Sequence, residues 1–299
     1  MLWAKRPAPA ARRSDLAGLP VFYERWTLGA PTLFDYPADF VLRASLEQHR
    51  TLAGCCNLHG VPAGFALTSP NVRESLIASD CGSSTRQRAL AAAISWALFG
   101  DAFSSLAASA EWLEANGKRV FLAESRGPLH ATFAAALPPA RFVASEYLGP
   151  AVAPGALRGG VRHEDLERLS FPDASFDLVI TADVMEHVAD APRAEREIVR
   201  VLRPGGVYCF TIPFYFDLEH DRVRALPGAE GTVRHLEEPQ YHEDPVRAGG
   251  ALVFRDYAES DLRARFGALG CAFEIVRVWS PTLAMLGGDL VVMVVRRLH

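Results

Sequence analysis

From Lys118 onward, short apolar runs alternate with segments of helical periodicity, and this pattern limits the possible folds more than any other feature. Each run is too short for a buried helix and has the unbroken apolar centre of a strand buried on both faces. Strands that alternate with helices are typical of parallel sheets with crossover helices. The sequence therefore predicts a doubly wound α/β domain, with its first four clear strands at Arg119–Ala123, Arg141–Ala144, Phe176–Thr181 and Val207–Ile212.

The helices between these runs have recognisable ends. Pro128 favours a helix start, because a proline in the first turn loses no helical hydrogen bond. Asp190 is a typical N-cap for a helix over about 192–202, and Gly270 ends a helix over about 259–269. Two last apolar runs, Phe273–Trp279 and Asp289–Arg296, are predicted to pair as an antiparallel edge.

Before about residue 115 the chain is irregular, with many Pro, Gly and Ser residues. Its clearest element is an alanine-rich helix over about Arg86–Leu98, and three of the five cysteines lie in this first third: Cys55, Cys56 and Cys81. The sequence predicts a smaller helix-and-loop module over 1–115 and the α/β domain over 116–299.

Composition excludes several classes of protein. The net charge of −4 and pI near 6.1 give no basic surface of the kind that binds nucleic acid. An odd number of cysteines argues against a secreted disulfide framework, and Met1–Arg13 has basic residues but no apolar core of a signal peptide. The uncharged stretch Ala89–Ala110 is interrupted by Asp101, which argues against a membrane span. We expect a cytoplasmic protein with neither nucleic-acid nor membrane partners; its oligomeric state is open.

Acidic residues follow the predicted strands. In doubly wound sheets, ligands bind outside the carboxyl ends of the strands, so these positions are candidate binding residues. A carboxylate can accept two ribose hydroxyls at once, or an adenine amino group. The pattern favours a nucleoside ligand, and the acids concerned are Glu124, Glu146, Asp165 and Asp183.

Three segments in order carry a resemblance to a known family: Leu169–Ile180, Asp183–Val188 and Arg200–Gly206. Together they resemble the class I S-adenosylmethionine-dependent methyltransferases. The resemblance covers roughly Lys118 to the last residue. It implies a Rossmann-like sheet of seven strands with the last one antiparallel, and S-adenosyl-L-methionine as cofactor.

The resemblance also implies roles for single residues. Glu146, with Tyr147 beside it, matches the acid that binds the ribose, and it lies 22 positions after Glu124. Asp165 and Leu166 match the adenine contacts. Asp183 and the Glu186–His187 pair would flank the methionine and sulfonium end. Glu124, Ser125 and Gly127 match the glycine-rich loop that binds the cofactor after the first strand. This loop keeps one glycine where the family usually has several.

A narrower resemblance lies after the fourth clear strand. Glu237–Pro245 and Gly249–Phe254 resemble a lid insertion, over about 213–257, of an uncharacterised methyltransferase-like subfamily. Aromatic residues there suit a sulfonium cation, although they also suit an apolar lid. A histidine can accept the acceptor's proton, or its pairing with an acid can simply orient the helix. The candidate catalytic residues are His187, Tyr215, Tyr241 and His242.

In that subfamily the N-terminal segment carries two Cys-x-x-Cys pairs. Cys56, His59 and Cys81 stand at three of the four positions, and Ala78 stands at the other. Cys55 or Asp80 can replace the absent ligand, but neither has the usual spacing. The sequence favours a remnant of a zinc knuckle held by apolar packing, with no metal bound.

Three functions follow. The first is methylation of a small-molecule acceptor in specialised metabolism. The second is a cyclase in which the cofactor's own amine displaces its thioether, giving azetidine-2-carboxylate and methylthioadenosine; the altered glycine loop motivates it. The third is a non-catalytic scaffold that binds the cofactor.

Overall fold

The structure is a computed structural model, and it describes residues 22–26, 36–100, 104–228, 232–244 and 249–299. The predictions made on Met1–Arg13, on Asp101 and on Pro245 lie outside these residues. The chain divides into two compact units. Unit 1 comprises 1–120, 126–143 and 275–294, and unit 2 comprises 121–125, 144–274 and 295–299.

Six α-helices occur in the described residues, and those predicted lie where expected to within two residues. They are α1 Tyr36–His49, α2 Thr85–Phe99, α3 Leu106–Ala115, α4 Gly127–Ala136, α5 Ala191–Val201 and α6 Glu259–Ala268. Single 3-10 turns occur at Val72–Glu74, Met185–His187 and Pro281–Leu283.

The strands include several of only two or three residues. They are β1 Phe22–Trp26, β2 Thr51–Cys56, β3 Val61–Ala66, β4 Ile77–Ala78, β5 Val120–Leu122, β6 Phe142–Ala144, β7 Leu157–Arg158, β8 Val161–Arg162, β9 Phe176–Ala182, β10 Leu202–Thr211, β11 Arg222–Val223, β12 Ala225–Pro227, β13 Val233–His235, β14 Tyr241–His242, β15 Ala251–Leu252, β16 Arg255–Asp256, β17 Cys271–Trp279 and β18 Val291–Arg297.

The central sheet confirms the predicted α/β fold. Its strands lie in the order β1-β17-β18-β10-β9-β5-β6, and it is mixed: β9 and β10 are parallel, whereas β1 and β17 are antiparallel. Residues 116–299 contribute six strands, one fewer than the resemblance implies, and the seventh is β1. The two final β runs are neighbours, but β17 is not the edge strand predicted, because β1 pairs with its other side.

The segment before His163, which lies between β6 and β9 in the chain, does not form a strand of the central sheet. Its residues Val161–Arg162 pair with β7 as a hairpin instead of joining the main sheet. Next to β6 there is only an isolated parallel bridge between Glu146 and His163, in place of a paired strand.

Local sequence explains the helix ends. The Asp190 carboxylate accepts a hydrogen bond from the Arg193 N–H at 3.0 Å, which confirms it as the N-cap of α5. At the start of α2, Ser84 and Gln87 form a reciprocal capping box that the sequence analysis did not identify.

Aromatic packing forms much of the core of unit 2. Tyr208 and Phe210 of β10 stack at 4.4 Å between ring centroids, and Phe266 of α6 stacks on Phe273 at 5.8 Å. These four side chains are buried, so the core holds β10 and α6 in place behind the ends of the strands where the candidate site lies.

In unit 1, β2, β3 and β4 form an antiparallel sheet that the sequence did not predict. Two of its glycines and one proline obscure the alternation that marks a strand. None of the helices in the described ranges is both long and apolar enough to cross a membrane.

Candidate active site

The loop after β5 is bonded to the acid that follows β6. The Ser125 N–H and its hydroxyl donate to the same Glu146 carboxylate oxygen, Oε1, at 2.8 and 2.9 Å. Because β5 and β6 are neighbours in the sheet, the ends of both strands contribute to one polar corner. Oε2 is the Glu146 oxygen that Ser125 does not occupy.

Glu146 continues β6 by backbone bonds to the next segment. Its N–H donates to the Arg162 carbonyl at 2.9 Å, and its carbonyl accepts from Glu164 at 3.1 Å. The exposed Tyr147 ring lies 5.4 Å from the buried His163 ring. Asp165 comes next; its carboxylate accepts the Glu167 N–H at 2.9 Å, and the buried Leu166 lies inside that turn.

Gly127 begins α4 with a φ of +83°. Non-glycine residues rarely adopt this conformation, so the one glycine that the loop keeps stands where the backbone needs it. The loop thus turns into the helix as predicted, although Arg126 replaces a small residue.

Asp183 leaves the end of β9 with a φ of +53°. Its N–H donates to both the carbonyl and the hydroxyl of Thr211, at 3.0 and 3.2 Å. A left-handed, non-glycine residue is strained, and such residues are common at functional sites.

A carboxyl group and two imidazoles meet beyond Asp183. Oε1 of Glu186 lies 3.7 Å from His187 Nε2 and 3.6 Å from His242 Nδ1, and the two rings are edge to face with centroids 5.0 Å apart. The Glu186 side chain is only 1% exposed. Within the described part of the chain neither of its carboxylate oxygens has a hydrogen-bond partner.

Burial raises the pKa of Glu186, and the charge of Asp183 raises it further, while His242 and His187 oppose the shift. Nδ1 of His187 lies 2.8 Å from the Leu252 carbonyl, which accepts a hydrogen bond only if that nitrogen carries a proton. Nε2 of a neutral His187 is then the basic nitrogen, and it points toward Glu186.

Comparisons with known proteins find methyltransferases similar to part of this chain. Residues 108–210 match a family model described as a methyltransferase domain. A probable S-adenosylmethionine-dependent methyltransferase of Mycolicibacterium smegmatis is 45% identical over 120 residues, 37% of this chain and 44% of the relative. Residues 108–210 are therefore similar to a methyltransferase domain, and S-adenosylmethionine-dependent methyltransferases are among the relatives of this part of the chain.

Other similar proteins match shorter parts or at lower identity. A 27-O-demethylrifamycin SV methyltransferase of Amycolatopsis mediterranei is 35% identical over 91 residues, 29% of this chain and 34% of the relative. The solved S-adenosylmethionine-bound amino pentose methyltransferase of Micromonospora echinaspora is 17% identical, with a TM-score of 0.41 over 72% of this chain and 92% of its own. This chain spans less than half the length of the curated relatives it matches.

Hydrogen bonds from the predicted insertion hold the turn that carries Glu186 and His187. Three successive residues of the 3-10 turn each have a bond to that segment. Tyr257 donates its hydroxyl to the Met185 carbonyl at 2.8 Å, Phe254 donates its N–H to the Glu186 carbonyl at 2.7 Å, and His187 bonds to Leu252. Nothing in the sequence marks Tyr257 as a site residue, because a buried tyrosine far along the chain belongs to no motif.

The predicted site residues of the domain fall into two groups. Glu124, Ser125, Glu146, Asp183, His187 and His242 lie at or near strand ends and are half-buried. Tyr215 and Tyr241 are 36% and 56% exposed, respectively, and their role at the pocket stays a prediction. Glu186 was noted only as a partner of His187, yet it is the residue that joins the two histidines.

A second cluster lies in unit 1, N-terminal to the matched domain. Cys56, His59, Asp80 and Cys81 have their ligand-type atoms within 4.8 Å of one another. Ala78 is buried beside them and offers no ligand atom, as the sequence indicated.

Proposed function

We propose that this protein binds S-adenosyl-L-methionine and transfers its methyl group to an oxygen or nitrogen of a small molecule. The observation that carries the proposal is the Ser125–Glu146 pair at the carboxyl ends of two neighbouring strands. There the ribose diol can donate to the Glu146 carboxylate, whose Oε2 is not taken by Ser125. Asp165 and Leu166 stand next along the same edge for the adenine.

The sulfonium supplies a methyl carbon that an acceptor lone pair can attack, with the carbon–sulfur electron pair returning to sulfur as a neutral thioether. The chain's own part is to align the two groups and to keep water out, since positioning can supply most of the rate. The acceptor's proton must leave, and Nε2 of His187 is the group placed to take it, because Nδ1 of that ring bonds to the Leu252 carbonyl.

A small acceptor fits the charges. The acceptor side of the site consists of one buried carboxyl group and two imidazoles, and the acidic pI of about 6.1 gives no attraction for a polyanion. The similar rifamycin methyltransferase is named for a natural product, which supports a role in specialised metabolism.

Calorimetry tests cofactor binding directly. S-adenosylmethionine and its demethylated product, S-adenosylhomocysteine, should each bind the full chain in one-to-one stoichiometry. Failure of both to bind at millimolar concentration would remove the proposal and leave only a function independent of the cofactor.

The reaction class needs a second experiment. The protein is incubated with the cofactor alone, and then with panels of hydroxylated and amine-bearing small molecules, while both possible products are measured. S-adenosylhomocysteine formed only with an acceptor supports transfer. Methylthioadenosine formed without an acceptor, above the rate of an enzyme-free control, would instead establish the cyclase.

A further inference from the structure

Two tight turns in unit 1 bring metal-binding side chains together. The first follows β2, where the Gly60 N–H donates to the Cys56 carbonyl at 2.7 Å, and it carries Cys56 and His59. The second follows β4, where the Gly82 N–H donates to the Ala78 carbonyl at 2.8 Å, and it carries Asp80 and Cys81.

The small sheet sets the distance between these turns. After β4 the chain continues beside β3, with the Ser79 N–H bonded to the Gly64 carbonyl at 2.9 Å, and so runs back toward the turn between β2 and β3. Each turn therefore contributes two potential metal ligands, and the four ligand atoms lie close together.

The distances suit a tetrahedral metal ion. The Cys56 and Cys81 sulfurs are 3.6 Å apart and form no disulfide. Two thiolates bound to one zinc at about 2.3 Å in tetrahedral geometry lie about 3.8 Å apart. His59 Nδ1 and Asp80 Oδ2 complete the set, separated by 2.9 Å.

The hydrogen bonds around His59 orient its ring toward the cluster. The Thr132 hydroxyl donates to the Pro128 carbonyl at 2.8 Å, so it can only accept from His59 Nε2, which is 3.3 Å away. His59 Nδ1 is then the ring nitrogen that faces the Asp80 carboxylate, 2.9 Å from Oδ2, and it is the atom of this ring that can bind a metal ion.

A buried arginine supplies a third argument. Arg88 is fully buried and its guanidinium donates to carbonyl oxygens, including those of Ser83, Leu76 and Leu283. A buried cation needs a compensating negative charge. The Ser83 hydroxyl, which also receives a bond from Arg88, lies 3.3 Å from the Cys81 sulfur and 4.0 Å from the Cys56 sulfur. Two thiolates and one carboxylate around a divalent ion leave one negative charge, which Arg88 balances.

We infer that Cys56, His59, Asp80 and Cys81 bind one zinc ion. Asp80 supplies the ligand that Ala78 does not, and this proposal replaces the metal-free remnant that the sequence favoured. Four protein ligands leave no position for substrate, so the site is structural and joins the two turns. His59 and Asp80 are 35% and 17% exposed, which gives the ion a path from solvent, while Cys56 is fully buried.

Metal analysis of the purified full chain tests the inference. Expressed and purified without chelator, the protein should carry about one zinc per chain by plasma mass spectrometry. Cobalt(II) added to stripped protein should give the intense visible bands of tetrahedral cobalt with thiolate ligands. Zinc added back should raise the Tm by several degrees, because the ion binds the folded state.

Cys55 offers a matched control, since adjacent residues of a strand point to opposite faces. Cys56→Ser and Cys81→Ser should lose the zinc and the cobalt spectrum, whereas Cys55→Ser should keep both. Asp80→Asn can still hydrogen bond to His59 but lacks the charge, so it should weaken zinc binding by about tenfold or more. This variant tests ligation without removing a cysteine from the core.

Several results would overturn the inference. One is a wild-type chain that holds no zinc and shows no change in Tm when zinc is added. Another is a thiol count, in denaturant without reductant, that shows two of the five cysteines joined as a disulfide. A third is zinc content in Cys56→Ser and Cys81→Ser equal to that of Cys55→Ser, because the ion would then bind elsewhere.

Discussion

Ser125 gives both of its donors to one oxygen of Glu146, so a single carboxylate connects the loop after β5 to the end of β6. The bond sets the shape of the corner before any ligand arrives. Under the proposed function Glu146 therefore has two tasks, which are to hold the loop and to bind the ribose of the cofactor.

Glu146→Gln separates these tasks, because the amide oxygen can still accept from Ser125 but carries no charge. Charge-assisted bonds are about twice as strong as neutral ones, so we expect the Kd for S-adenosylmethionine to rise about 10- to 100-fold. Isothermal titration calorimetry measures this Kd. Glu238→Gln, at an exposed acid of the insertion, should bind like the parent chain. Equal affinity in Glu146→Gln would mean that the ribose binds elsewhere.

Glu186→Gln should change how stability depends on pH. Because burial raises the pKa of Glu186, the folded state holds its proton more tightly than the unfolded state does. The stability of the parent chain therefore falls as the pH rises above about 4.5, the group's ordinary value, toward its higher folded value. Relative to the parent, the neutral variant should gain stability as the pH rises through this range.

Urea unfolding at several pH values checks this dependence. Glu219→Gln, at an exposed acid of unit 2, is the control and should differ from the parent by the same small amount at each pH. A Glu186→Gln curve parallel to that of the parent would show that Glu186 is charged in the folded protein.

Tyr257→Phe should destabilise the protein. The change removes the hydroxyl that bonds to the Met185 carbonyl, which then keeps only its bond from the Val188 N–H, at a cost of about 0.5–1.5 kcal/mol. The free energy of unfolding in urea measures the effect. Tyr241→Phe removes an exposed hydroxyl from the same insertion and should cost much less. Similar values for the two variants would contradict a role for Tyr257 in holding the Glu186 turn.

Gly127→Ala should cost about 1–2 kcal/mol, because a side chain at a φ of +83° clashes with its own backbone. Gly267→Ala is a sharp comparison. Gly267 lies inside α6, and a methyl group added there meets nothing within 4 Å, so this variant should gain about 0.5–1 kcal/mol. Thermal unfolding of both variants should show Tm changes of opposite sign. A stabilising Gly127→Ala would mean that the loop has another conformation in solution.

Much of the α/β domain could be predicted, because its signals are local. A strand with an unbroken apolar centre, such as Leu178–Ile180 within Phe176–Ala182, must be buried on both faces, and Asp190 before Ala191 is a typical helix cap. Strand ends then give candidate binding positions directly, which is how Glu146 and Asp183 were found.

The rest depends on contacts that are distant in sequence. Nothing near Glu186 indicates that His242 lies 3.6 Å away, since His242 comes 56 positions later in the chain, within the insertion. The same holds for β1, which extends the sheet although more than 240 residues separate it from β17. Asp80 was considered an unsuitable metal ligand because it is next to Cys81 and not at Cys-x-x-Cys spacing. Spacing compares residues within one turn only. The other two residues of the cluster, Cys56 and His59, come from the turn between β2 and β3.

The bonds of Arg88 determine when this protein can finish folding during synthesis. Its guanidinium donates hydrogen bonds to the carbonyl oxygens of Leu283 and Ala284, which come almost 200 residues later in the chain. A ribosome that has made the first 120 residues has therefore made a charged side chain that still lacks two of its acceptor oxygens. The surroundings of Arg88 can be completed only after Leu283 and Ala284 have been translated.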